Sequence, residues 1–369
     1  MGDPDPTDFI NLETGRIPFK HSSMDLADWD GTFRSWTGYT KGWRDWYCRV
    51  SHVYAGTWEK YGIGRCITLS LSEMLKNESL LIAASYFWSD ALNAFLFGHG
   101  PFTLTLADVL MLTGLDVSAS DTPFTPRLSK PFHRLKTKGV GGWSGYINEH
   151  AKTGTVTERE HIAFLNMWLE KFVFCGKSIG PTTNFQSLAE LLIGCRVPLG
   201  QILLGAAYNL LHQVSVRLSA GKSVGTPGGP WWFVNMWLNL YFHDSLGQNI
   251  YNSVFPREQP DDAQPETHQC LTFGEVISVF PGNKKTPSLI AEHFRSFYVG
   301  LKQDFTIWFA FEDPNCAFEP LFNFDDITSD DDTRVIFEMI IKPGLLLANF
   351  FGKDQLATYE FYSPSVAAH

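Results

Sequence analysis

The chain is sparing with charge. Asp, Glu, Lys and Arg make up 18% of its 369 residues, 39 acids stand against 29 bases, and the formal net charge is −10. A globally basic surface, the kind that neutralises a phosphate backbone, is excluded, although a local basic patch is not. The six cysteines, Cys48, Cys66, Cys175, Cys195, Cys270 and Cys316, are scattered, with no Cys-x-x-Cys pair among them. That favours buried thiols in a reducing compartment over a zinc site or a disulfide framework. The N-terminus reads Met-Gly-Asp-Pro-Asp-Pro-Thr-Asp. It lacks the basic region and apolar run of a secretory leader. The most apolar run, Gln201 to Leu218, is broken by Asn209, His212, Gln213 and Arg217, which suits a buried globular helix better than lipid, so no membrane association is expected.

Enzyme motifs are missing as well. Ala220-Gly221-Lys222-Ser223 resembles the end of a phosphate-binding loop, but Val216 stands where the first glycine belongs and a helix precedes the segment where a strand is required. Trp143-Ser144-Gly145 resembles a nucleophile elbow, yet Tyr146 replaces its second glycine. The histidines His99, His133, His150, His161, His212 and His243 form no His-Glu-x-x-His pattern, and His161 or His212 alone on a helix reads as a satisfied or exposed side chain. Asp325, Asp326, Asp330, Asp331 and Asp332 offer hard oxygen donors for a divalent cation, but a solvated acidic loop is the commoner outcome. The expectation is a non-enzymatic protein with no catalytic residue, metal ligand or cofactor.

What the chain has in quantity is apolar and aromatic surface: aromatics are 15% of residues and hydrophobic types 44%. Such a composition points to extensive burial and away from disorder. Residues 1–25 are polar, with several prolines and glycines, and are expected to form a flexible arm. From residue 26 to 369 one large, mainly α domain is expected, with a minor β-hairpin and an acidic, proline-bearing linker at 256–268. Between Trp29 and Tyr61 the rings of Trp29, Trp36, Tyr39, Trp43, Trp46, Tyr47, Tyr54, Trp58 and Tyr61 accumulate; packing onto the main body is the favoured reading over a stacking surface.

Helix starts are marked by hydroxyls followed three residues later by an acid, as at Ser70–Glu73, Thr105–Asp108, Thr157–Glu160, Ser187–Glu190 and Thr272–Glu275, and by Thr286-Pro287. After Thr157, Ile162, Leu165, Leu169 and Phe172 define one face, with Glu158, Arg159, Asn166 and Glu170 on the other. A helix through Ile202, Leu203, Ala206, Leu210, Val214 and Leu218 is apolar nearly all round and belongs at the centre of the core. Proline starts the helix that follows Pro230. Beyond Val335 the pattern does not choose between helix and strand.

The most specific stretch runs from Tyr86 to Val117. Trp88 is expected at a helix end, followed by a hairpin turning through Gly98-His99-Gly100-Pro101. Phe95, Phe97, Phe102 and Leu104 sit two apart on either side of the turn, as when one face of a strand pair is buried. Thr105 and Asp108 then make a capping pair, and Gly114 is placed for the left-handed residue that closes a helix. Trp88, Phe95, Phe102, Thr105, Asp108 and Gly114 are read as a packing hub, with Asp108 a cap and not a catalyst.

Arg127, Lys130, Arg134, Lys136 and Lys138 follow with no acid between Asp121 and Glu149, interleaved with Phe124, Phe132, His133 and Trp143. Two readings stay open: a loop in which the bases and Trp143 contact DNA, RNA or a partner, and a long solvated insertion, the commoner case.

Trp88 with Asn93-Ala94-Phe95, and the run from Phe102 to Val117, resemble the core of the plant mobile domain. The chain has Leu106-Ala107-Asp108-Val109 where that family has Leu-Glu-Asp-Val, and Gly114-Leu115-Asp116-Val117 where it has Gly-Leu-Pro-Val. Gly229-Pro230-Trp231-Trp232, Trp237 to Phe242, Phe297-Tyr298-Val299-Gly300 and Tyr359 to Val366 resemble the retrotransposon-associated branch, so the resemblance runs from about Trp29 to the end. That branch is related to the maintenance-of-meristems-like host proteins. The resemblance implies a nuclear interaction module linked to transposable elements, silencing and gene-expression control. It also implies a phosphoprotein phosphatase-like protein partner. The alternatives are a nucleic-acid accessory factor using the loop from Arg127 to Lys138, and a hydrolase or nuclease, which would need carboxylates or histidines clustered in a cleft.

Overall fold

The computed structural model describes residues 13, 15–17, 25–118, 133–242, 254–256, 267–270, 272–300, 331–349 and 357–364. After a single turn at Leu26–Trp29, the aromatic-rich stretch forms helices α1 (Trp43–Lys60) and α2 (Gly64–Leu69). Trp29, Trp36, Trp43, Trp46 and Trp58 are buried, whereas Tyr39 is 70% exposed. Trp43 stacks on Phe164 at 4.6 Å and on Phe172 at 4.5 Å, which fixes α1 against the middle of the chain.

Ser70–Glu73 does not start a helix. Ser70 ends α2, its hydroxyl donating back to Ile67 O at 2.5 Å, and α3 (Glu78–Ser85) starts from Asn77, whose side chain accepts from Leu80 N. Ser70 keeps helical backbone angles, φ −69° and ψ −7°, whereas a residue that caps a helix start is extended. Three short strands follow, β1 (Trp88–Ser89), β2 (Ala94–Phe97) and β3 (Gly100–Phe102), antiparallel in that order. Trp88 therefore lies in a strand and not at a helix end: α3 has already stopped, and Trp88 pairs with Phe95, which pairs with Phe102. Helix α4 (Leu106–Thr113) leaves the sheet directly.

Helices α5 (Gly142–His150) and α6 (Glu158–Met167) come next, α6 capped by Thr157, which accepts from Glu160 N. Helix α6 continues without a break into a π-helical turn, Trp168–Val173. Asn166 and Glu170, expected on the solvent face, are 0% and 2% exposed. The segment around Thr182 covers them: Asn166 Nδ2 donates to Thr182 O, and Glu170 accepts from Thr182 N and Oγ1. Helix α7 (Gln186–Leu192) begins one residue before Ser187 and has no side-chain cap.

Helix α8 (Leu199–Ser219) follows Pro198 and α9 (Trp231–Tyr241) follows Pro230; every residue of α9 is buried. Strands β4 (Val254–Pro256) and β5 (Thr267–Gln269) pair antiparallel, joining the two ends of the segment that carries the acidic, proline-bearing run. Helices α10 (Phe273–Ser278) and α11 (Pro287–Val299) are capped by Thr272 and Thr286 as their sequences require. The C-terminal stretch resolves into α12 (Asp331–Ile341) and an antiparallel hairpin of β6 (Gly344–Asn349) and β7 (Thr358–Tyr362). Strand β6 lies across α8 at Gly205, where a β-carbon would fall 2.4 Å from Leu347 O; only glycine admits this approach. The architecture is mainly α, with small sheets set on helical layers.

Candidate functional site

The stretch from Tyr86 to Val117 sits at the centre of an aromatic cluster. Trp88 and Phe95 are both 0% exposed. Phe95 stacks on Trp237 at 5.5 Å, and Phe102 lies 4.7 Å from the same indole. The β2–β3 turn docks on α11, Gly98 N donating to Phe297 O at 2.8 Å.

Both halves of the capping box are made: Asp108 N donates to Thr105 Oγ1, and Thr105 N donates to Asp108 Oδ2 at 2.7 Å. The second carboxylate oxygen, Oδ1, receives Tyr241 Oη at 2.5 Å, so one side chain caps α4 and ties it to α9. Burial raises the Asp108 carboxyl, and the Tyr241 and Thr105 bonds pull it back. Tyr362 Oη of β7 donates to Ile340 O at 2.6 Å and accepts from Leu106 N at 3.3 Å. The C-terminal hairpin thus satisfies an amide that the start of α4 would otherwise leave free. Gly114 has φ 66° and its N–H closes on Leu110 O.

Of the basic stretch, Arg127 and Lys130 lie outside the described residues. Arg134, Lys136 and Lys138 are exposed. Lys136 Nζ pairs with Glu149 at 3.0 Å. Trp143 is half-buried against the core and meets Tyr146 edge-on at 5.9 Å. The backbone here is anchored from α7: Gln186 Nε2 donates to His133 O and Leu135 N donates to Gln186 Oε1. Arg134, Lys136 and Lys138 therefore rise from a short anchored segment.

Glu160, His161 and Glu170 are buried ionisable groups with structural partners. Glu160, 3% exposed, accepts from Arg49 at 2.8 Å and from Trp46 Nε1 at 3.2 Å. His161 Nε2 accepts from Trp58 Nε1 at 2.9 Å, and burial pushes its pKa down to about 4. Burial pushes the Glu170 carboxyl up to about 7 against the opposing Thr182 bonds. No group of three or more His, Cys, Asp or Glu able to hold a metal occurs among the described residues. No helix among them is long and apolar enough to cross a membrane.

The surface feature that sequence reasoning missed is the outer face of the C-terminal hairpin. Leu345 pairs with Phe361 and Leu347 with Tyr359; side chains of paired residues, and of residues two apart, share a face. Leu345, Phe361 and Tyr359 are 67%, 55% and 50% exposed, while Leu347 on the same face is only 8% exposed; Leu346, Ala348 and Tyr362 on the opposite face are buried. The signal was available as Leu345-x-Leu347 and Tyr359-x-Phe361, apolar residues at strand spacing. It stayed unread because Leu346 and Tyr362 fill the opposite phase of the alternation with equally apolar side chains.

Together these features define a mainly α body with an aromatic centre, structural roles for its buried charges, and an apolar hairpin face turned to solvent. Residues 62–342 match the plant mobile domain, and the chain belongs to that family, one related to transposable elements. Comparison with curated proteins and with solved structures found no match in either.

Proposed function

We propose that this plant mobile domain acts by binding a protein partner, without catalysis, in the nucleus, in transposon silencing and gene-expression control. The observation that carries the reading is the outer face of the β6–β7 hairpin, with Leu345, Tyr359 and Phe361 exposed on one face. Aromatic and apolar side chains held on a rigid strand pair lose little entropy on docking, which is what the centre of a protein interface requires. Tyr362 and the β6 crossing at Gly205 hold the hairpin to α4 and α8, so the face is presented ready-formed. By family resemblance the partner is a phosphoprotein phosphatase-like protein. The test is capture from plant nuclei by the immobilised domain: a phosphatase-like protein retained by the wild type and lost from a Leu345→Asp, Phe361→Asp variant supports the reading. Repeated failure of the wild type to retain any protein counts against it.

The second reading, nucleic-acid binding through the basic loop from Arg127 to Lys138, has Arg134 and Lys138 exposed in its favour, while Lys136 is already paired with Glu149. It predicts binding that weakens steeply with salt and on charge reversal of that loop. Absence of a DNA or RNA shift at low salt disposes of it.

A further inference from the structure

Two lysines far apart in sequence converge on Trp36. Lys76 Nζ donates to Phe33 O at 2.9 Å and lies 5.7 Å from the centroid of the Trp36 ring. Lys171 Nζ donates to Trp36 O at 2.6 Å. The Trp36 indole is buried and fixed by its own bond, Nε1 to Met74 O at 2.8 Å. Both lysines are half-buried. Neither forms an ion pair with any described carboxylate, although the chain as a whole is acidic. Each ammonium has three donors and gives one to a carbonyl, so each retains two. Burial and the charge on Lys76 both lower the pKa of Lys171, while the nearby Cys175 works the other way.

Backbone strain is concentrated at the same place. Lys171 is carried on the π-helical turn Trp168–Val173, and that turn runs into Cys175, a non-glycine residue at φ 45°. The arrangement is tied down by Cys175 Sγ donating to Lys171 O and by Gly229 N donating to Cys175 O. Single π turns and left-handed non-glycine residues both cost energy and gather where a side chain must be aimed. Here they hold the Lys171 ammonium on Trp36 O, near enough to Lys76 for the two charges to repel, an arrangement that is unfavourable until a negative charge joins it.

We propose that Lys76 and Lys171, bracketing Trp36, form a binding site for a phosphate monoester. A monoester brings between one and two negative charges and three acceptor oxygens at neutral pH, matching two ammoniums with donors to spare. A phosphodiester brings one charge and fits less well. The site uses none of the hairpin residues, so it stands or falls independently of the partner reading.

The test on the unaltered protein is competitive acylation of lysines with mass-spectrometric readout, with and without phosphoserine as probe. Phosphoserine is expected to protect Lys76 and Lys171 selectively, leaving the exposed Lys60 and Lys177 unchanged. In parallel, phosphoserine binding is followed by phosphorus NMR titration. Lys76→Gln and Lys171→Gln are each expected to weaken it roughly tenfold, the scale of one charge-assisted hydrogen bond, with the circular dichroism spectrum unaltered. Equal binding by wild type and double variant, or no protection at either lysine, overturns the proposal. So does a single-stranded oligonucleotide that protects both lysines more strongly than phosphoserine, since the site would then read a phosphodiester backbone.

Discussion

Tyr241 Oη donates to Asp108 Oδ1 across 2.5 Å, joining α9 to the first turn of α4 through a carboxylate that also completes that turn's cap. Its two oxygens answer separate demands: Oδ2 takes the Thr105 amide and hydroxyl, and Oδ1 takes the phenol. Thr105→Ala should cost about 1 kcal/mol, the usual value of a lost cap. Tyr241→Phe should cost about 1–3 kcal/mol by leaving a buried acceptor short of a donor. Both changes act on one side chain, so the double variant should depart from additivity. Urea titration of the four proteins measures this, and strict additivity would refute the linkage.

Gly114→Ala should destabilise the fold by about 1 kcal/mol or more. The residue is held at φ 66°, where a β-carbon is disfavoured, and that carbon would also lie 2.8 Å from Arg65 Cβ. An unchanged melting temperature would contradict the assignment of Gly114 as the left-handed stop of α4.

Trp88→Ala should cost about 3–5 kcal/mol, because the ring is wholly buried against Phe95 and Tyr208. A variant that stays as stable as the wild type but loses a partner would return this stretch from scaffold to site.

Two buried groups give opposite pH dependences. The Glu170 carboxyl is raised from 4.5 to about 7, so the stability it contributes is present below pH 4.5 and is lost as pH rises through about 7. His161 is lowered from 6.5 to about 4, so its contribution is present above pH 6.5 and is lost as pH falls through about 4. Each difference corresponds to roughly 3 kcal/mol, and the two oppose each other between those limits. Glu170→Gln, which keeps an acceptor for Thr182, should be more stable than the wild type at pH 8 and should lose that advantage by pH 4.5. A stability difference independent of pH, measured by denaturant titration at several pH values, would contradict the assignment.

The parts of the fold that sequence revealed are those governed by local rules. Thr105 with Asp108, Thr157, Thr272 and Thr286 cap helices because a hydroxyl three residues from an amide is a local matter. The Phe95–Phe102 register follows from the spacing across one short turn. Ser70 failed because it closes α2 with helical backbone angles, and a hydroxyl that ends a helix looks the same in sequence as one that starts the next. Asn166 and Glu170 failed for a nonlocal reason: a segment centred on Thr182 folds over them, which helical periodicity cannot report. The same holds for Tyr241 on Asp108 and for the two lysines at Trp36. The hairpin face was hidden because which of its side chains are buried is decided by packing on α8, not by the strands alone.

The outer face of the C-terminal hairpin is the proposed partner-binding surface. The most direct measurement is calorimetric titration of a purified plant phosphoprotein phosphatase-like protein into the wild-type domain and into the Leu345→Asp, Phe361→Asp variant, with melting curves of both. The prediction is binding by the wild type, weakened by about 2 kcal/mol or more in the variant, as for the loss of interface anchors, at an unchanged melting temperature. Equal affinity of the two proteins, or no binding by the wild type, would contradict it.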